Sequence, residues 1–191
     1  MQRETIRLRV TGTKRLLMHS GRLADPLDPI TQDLARLTSK RPKTVADHKQ
    51  ISKVEWYGSL WLHNGVPCIP AEALMAAFVG GAKVLKRGPQ AAAGLAVEHS
   101  APLVYDGPAD IDKLWESREF FLRCGVKVGI NAKTMRTRPC FKDWYAEFTA
   151  SYLPSVIDRE HLIQALAQAG VRRGLGDWRP QNGTFEVREI D

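Results

Sequence analysis

Little in this sequence points to disulfide, metal or familiar enzyme chemistry. Three cysteines, Cys68, Cys124 and Cys140, make an odd count with no Cys-x-x-Cys pair, and five histidines include no His-Glu-x-x-His and no close His/Cys cluster. Both facts argue against a disulfide scaffold or structural zinc, so no metal and no cofactor is expected. A Gly-x-x-x-x-Gly-Lys-[Ser/Thr] phosphate loop, a Gly-x-Ser-x-Gly elbow and a Gly-x-Gly-x-x-Gly turn after a strand are missing too. No stretch reaches the roughly 18 to 20 apolar residues of a membrane span, and Met1-Gln2-Arg3-Glu4 lacks the apolar core of a signal peptide. The expected location is therefore the cytoplasm, with no membrane partner.

What the chain does have is positive charge: 28 Lys+Arg against 21 Asp+Glu over 191 residues, a net +7. Its 43% hydrophobic content is enough to bury a core at this length, which rules out wholesale disorder and suits a single domain with insertions. An excess of cations favours an anionic partner without naming one, so the position of the cations matters more than their number.

Hydrophobic periodicity gives the organisation. Residues 5–17 read as a strand, with Ile6, Leu8 and Val10 alternating with Arg7, Arg9 and Thr11. A Gly- and Pro-containing stretch from Met18 opens an insertion over about residues 22–53 that carries Lys40-Arg41-Pro42-Lys43. Residues 54–62 and 66–69 read as short strands around the turn His63-Asn64-Gly65. Pro70 then opens a helix over residues 71–85, with Leu74, Phe78 and Ala82 on one face. Residues 95–105 and 120–130 are strand-like, joined by a Pro/Gly/Asp connection. A basic segment through Lys133, Met135, Arg136, Arg138 and Lys142 reads as a protruding hairpin, about residues 127–145, leading into a strand over 144–153. Asp158 caps a helix through Ala169 that Gly170 should stop, and a Gly/Arg loop with Arg172, Arg173, Trp178 and Arg179 precedes a last strand over 184–190. The order is that of an α+β, ferredoxin-like (RRM-like) βαββαβ core with a basic hairpin and an N-terminal insertion.

Cations on an extended hairpin with an apolar Met135 suit a single strand, because the cations meet phosphates while an apolar side chain wedges between bases. Arginines on a glycine-rich loop suit phosphate oxygens. Trp178 either stacks on a base or pins its loop to the core.

Three segments resemble the RAMP superfamily, and within it the backbone subunits of CRISPR effector complexes. Gly65-Val66-Pro67-Cys68-Ile69-Pro70-Ala71-Glu72-Ala73-Leu74 is similar to that family's strand-to-helix motif, with Ala71 at the usual glycine. Residues 126–148 resemble its protruding thumb, and residues 170–187 resemble its glycine-rich C-terminal loop, from which Gly174-Leu175-Gly176-Asp177-Trp178-Arg179-Pro180 departs. The resemblance implies a sequence-independent binder of single-stranded RNA or DNA that assembles head to tail with itself into a helical filament, with other effector subunits as further partners and without catalysis. Candidate binding residues are Lys14, His19, Arg22, Lys40, Arg41, Lys43, Lys133, Met135, Arg136, Arg138, Lys142, Arg172, Arg173, Trp178 and Arg179. Two alternatives stand beside it. One is an endoribonuclease using Asp25, Asp28 or His19, and the other is a structural oligomer that binds an acidic protein.

Overall fold

The computed structural model describes residues 2–128 and 132–191. In chain order these form β1 (Glu4–Gly12), β2 (Leu16–Leu17), α1 (Pro29–Ser39), α2 (Val45–Ser59), β3 (Leu62–His63), β4 (Val66–Ile69), α3 (Ala71–Val84), α4 (Gly88–Gly94) and β5 (Leu95–Ala96). There follow β6 (Ala101–Val104), α5 (Ile111–Ser117), β7 (Phe121–Val128), β8 (Ala132–Phe141), β9 (Tyr145–Tyr152), α6 (Arg159–Gln168) and β10 (Phe185–Glu189). The chain divides into two compact units. Unit 1 is Met1–Leu17, Leu62–Gly107 and Phe141–Asp191; unit 2 is Met18–Trp61 and Pro108–Cys140. The insertion expected over residues 22–53 thus lies inside the first segment of unit 2.

Unit 1 holds an antiparallel sheet in the order β10-β1-β9-β6-β4-β3, with β5 also paired to β9. Helix α3 lies between β1 and β6 in sequence, and α6 between β9 and β10. Strands β10, β1, β9 and β6 are therefore the fourth, first, third and second of a βαββαβ unit, the ferredoxin-like arrangement the sequence predicts. The period-two pattern of β1 explains its place: Ile6, Leu8 and Val10 are 3%, 1% and 0% exposed. Burying each is worth about 1.5–3 kcal/mol. On the other face Arg9 stands opposite Glu147 of β9 in register and donates to its carboxylate at 2.7 Å, with its guanidinium over Tyr145. Helix α3 presses close to α6, because a Cβ at Gly81 would meet the Ala165 carbonyl oxygen at 2.1 Å.

Several expectations are corrected. Residues 54–59 continue helix α2 instead of forming a strand, leaving only Leu62–His63 to pair with β4. The side chains α2 buries are Ser52, Glu55, Trp56 and Ser59, at i, i+3, i+4 and i+7; that face is mostly polar, so a search for apolar periodicity cannot see it. The Asn64-Gly65 turn forms as expected, with φ of +51° and +78°. The strand over 95–105 is broken into β5 and β6. The connection after it contains α5, capped by Asp110 accepting from the Lys113 N–H at 3.0 Å. Gly170 does not stop α6, which runs on through a π turn over Ala169–Arg173 until Gly174 at φ +69°.

Unit 2 closes on aromatic rings. Trp56 of α2 is fully buried, donates its indole N–H to the Phe120 carbonyl at 2.8 Å, and lies 5.5 Å from Trp115 of α5. Trp115 in turn meets Phe121 edge-on, with centroids 5.6 Å apart.

Candidate nucleic-acid interface

Two cationic clusters far apart in sequence are drawn together within unit 2. The first is fixed by the start of α2. Thr44 caps the helix, its hydroxyl accepting from the Asp47 N–H at 3.1 Å, while the Asp47 carboxylate accepts from the Thr44 N–H at 2.9 Å. Lys40 donates to the same carboxylate at 2.7 Å. That hydrogen bond, followed by those from Thr44, holds the Asp47 carboxyl far below the usual carboxylate range. Lys40 is thus paired inside its own loop, with its side chain 48% exposed. Arg41 instead donates to the Thr38 and Lys40 carbonyls at 2.8 and 2.7 Å, and Lys43 donates to the Lys40 carbonyl at 3.1 Å. Carbonyls orient these cations without cancelling their charge.

The second cluster is held by one carboxylate. Glu55 of α2 is 3% exposed. It accepts from Arg138 at 3.1 Å, from Arg136 at 3.3 Å and from the Thr137 N–H at 2.9 Å, while Ser52 and Thr137 share a hydroxyl bond at 2.9 Å. Strand β8 is thereby fastened to α2. Arg138, expected to grip a ligand, is buried and turned inward, because its charge is what makes a buried Glu55 tolerable. Arg136 is also paired with Glu55 yet keeps 39% of its side chain exposed.

Between these clusters lies a cleft of about 530 Å³, lined by Arg41, Lys43, His48, Glu55, Arg123, Lys133, Met135 and Arg136 among others. Five of its lining residues are Lys or Arg and one is acidic, and that acid already accepts three hydrogen bonds. Among the described residues Arg41, Lys43, Arg123 and Lys133 form no ion pair. Met135 is 45% exposed at the wall. Sequence reasoning missed Arg123, which sits opposite Thr137 in the β7–β8 register, and also His48 and Glu55. A hairpin register would have flagged Arg123, whereas nothing in the sequence marks Glu55. Residues 129–131, within the expected hairpin, lie outside the described residues.

The third expected cluster belongs to unit 1 and forms its own small cup of about 200 Å³ from Arg172, Arg173, Arg179 and Pro180. Arg173 lies along α3 where Gly80 leaves room: a Cβ there would stand 2.7 Å from Nε. Trp178 is half-buried with φ +49°, and its carbonyl accepts from both the backbone and side-chain nitrogens of Asn182, at 3.1 and 3.2 Å. These bonds staple the loop that displays the arginines.

The remaining candidates are scattered. Lys14 is exposed at a turn whose carbonyl accepts the Trp144 indole N–H at 2.9 Å, and Lys142 is exposed just past β8. His19 is exposed. Arg22 donates to Asp28 at 2.9 Å, and Asp28 caps α1 by accepting from the Ile30 N–H at 2.9 Å. Asp25 accepts from the Leu27 N–H at 2.9 Å, a turn-forming role. Both acids weighed for hydrolysis thus carry local backbone duties. No group of three His, Cys, Asp or Glu side chains among the described residues is placed to hold a metal, and no helix there is long and apolar enough to cross a membrane.

No protein-family model matches the sequence, and no curated protein matches it. Among solved structures the chain is similar to the crystal structure of Cmr6 from Pyrococcus furiosus, over 100% of both chains, at 11% identity and a TM-score of 0.43: a distant structural relationship.

Proposed function

We propose that the protein binds single-stranded nucleic acid without regard to base sequence, through the basic cleft of unit 2. The observation that carries this reading is the convergence of Arg41 and Lys43 with Arg123, Lys133 and Arg136 around a groove whose one acid is internally saturated. Cations held by carbonyls at fixed positions neutralise phosphates with little loss of side-chain freedom, and the released counterions supply the affinity. The arginine cup of unit 1 offers a second phosphate site. No base-reading helix is needed, so the interaction follows the backbone. In the fuller form of this reading the protein acts as a RAMP-like backbone subunit. Copies assemble head to tail along the strand and meet other effector subunits, and no bond is cleaved.

The test is titration against single-stranded RNA, single-stranded DNA and duplex at two salt concentrations, with the mixtures imaged and the nucleic acid recovered. Five phosphate contacts predict a log–log salt slope of about −3.5 for a single strand. Salt-sensitive single-strand binding, filaments that grow with strand length and intact recovered strands are expected. Absence of binding at low salt overturns the reading. Cleavage with divalent metal present would turn it toward the endonuclease.

A further inference from the structure

The basic cleft does not end at the first face of α2. A second groove, of about 800 Å³, shares His48, Ser52 and Arg123 with it and continues past Lys49 and Lys53 to Trp115, Arg118 and Phe121. Its lining residues include four Lys or Arg and no acid. Its floor is aromatic, so the two grooves differ in kind: the first is cations and hydroxyls, the second cations over rings.

Arg118 is the unusual residue. It follows α5 in the left-handed conformation, at φ +62° and ψ −2°, a place where glycine is the ordinary choice and an L side chain is strained. Its guanidinium carbon lies 4.1 Å from the Trp115 ring centroid and 5.1 Å from that of Phe121. Trp115 is 9% exposed and lies beneath, while Arg118 is exposed and Phe121 half-buried. The guanidinium is therefore seated on two of the protein's own rings, and the cation is preset before any ligand arrives.

We infer that this groove is a nucleobase site, in which a base of the bound single strand stacks on the exposed guanidinium of Arg118 while its phosphates meet Arg123, Lys49 and Lys53. This rests on the reading of the cleft given above. A ligand for such a groove has to be flat and apolar on its faces and anionic along its edge. An acidic peptide satisfies the cations but leaves the guanidinium plane of Arg118 without a stacking partner. A nucleotide satisfies both, because every base has a π-face and guanidinium planes stack on it. The site adds affinity without reading sequence, in keeping with a backbone-following cleft.

The experiment compares the full-length protein's affinity for three strands of about 12 nucleotides, within the span of one single-strand site: oligouridylate, oligothymidylate and an abasic deoxyribose-phosphate strand. The base-bearing strands should bind about tenfold more tightly than the abasic one, the scale of one stacked base. Two variants separate stacking from charge. Arg118→Gly suits the left-handed backbone and folds; Arg118→Lys keeps the charge without the plane. Both should lose most of the preference for bases, and Arg118→Lys should hold the abasic strand as the unsubstituted protein does. Equal affinity for abasic and base-bearing strands, or a preference that survives Arg118→Gly, overturns the nucleobase site while leaving the cleft intact. Failure to bind any of the three strands overturns the cleft reading, and this inference with it.

Discussion

The two units set acids among their cations differently. In unit 1 the sheet face sets one carboxylate between two cations: Arg9 is bonded to Glu147, and Arg7 lies 3.9 Å from the same carboxylate. In unit 2 a single buried acid, Glu55, anchors the hairpin, and carbonyls orient Arg41 and Lys43. The open sheet face, where this fold offers a familiar binding platform, thus sets an acid among its cations, while the cleft of unit 2 keeps its field. Charge totals alone would not have separated the two.

Removing one acid from each unit separates them most strongly. Glu55→Ala leaves Arg138 buried without its carboxylate and the Thr137 N–H without an acceptor, so urea unfolding should show a loss of about 3–5 kcal/mol. Glu147→Ala, on the partly exposed sheet face, should lose only about 0–1 kcal/mol. Equal losses would mean that Glu55 does not organise unit 2.

A smaller effect is expected in binding. Lys43→Ala with Lys133→Ala should weaken single-strand affinity for every sequence and flatten the log–log salt slope by about 1.4. Arg7→Ala with Arg9→Ala removes as much charge from unit 1 and should leave the slope unchanged. A slope that falls equally in both pairs would place the ligand on the sheet.

The mildest effect is on helix starts at low pH. Asp28 is lowered chiefly by its hydrogen bond to Arg22, Asp158 by the His161 N–H, and Asp47 by Lys40. A depressed carboxyl contributes stability above its unfolded value near 3.9, and that contribution is lost as pH falls through the folded value. Hydrogen exchange should show the first turns of α1, α2 and α6 protected down to about pH 4 and fraying below it. Helix α2 should hold longest, since Asp47 lies lowest. Fraying of α2 first would undo the capping assignment.

How much was legible follows the same divide. In unit 1 the apolar repeat of Ile6, Leu8 and Val10, the face of Leu74, Phe78 and Ala82, and the Asp158 cap each carried their own signal, and together they gave the ferredoxin-like order. In unit 2 the decisive face is Ser52, Glu55, Trp56 and Ser59, which looks solvent-facing until Arg138 and Thr137 arrive from 83 and 82 residues away. Local pattern holds no record of such a partner. The basic runs were visible at Lys40 to Lys43 and Lys133 to Arg138. Which cations face out was not, because that depends on where Asp47 and Glu55 end up. Arg118 had no signal at all: its role comes from a left-handed backbone set by the end of α5.

Unit 2 is assembled from Met18–Trp61 and Pro108–Cys140, both of which precede β9 and β10 in the chain. The central sheet of unit 1 cannot close before β9 arrives, since β9 is the strand between β1 and β6. With synthesis at about 5–20 residues per second, the parts of the cleft leave the ribosome seconds before the scaffold is complete. A nascent chain thus has both segments of unit 2 synthesised while the strand that joins β1 to β6 is still missing, so the order of birth runs from unit 2 to the closed sheet of unit 1.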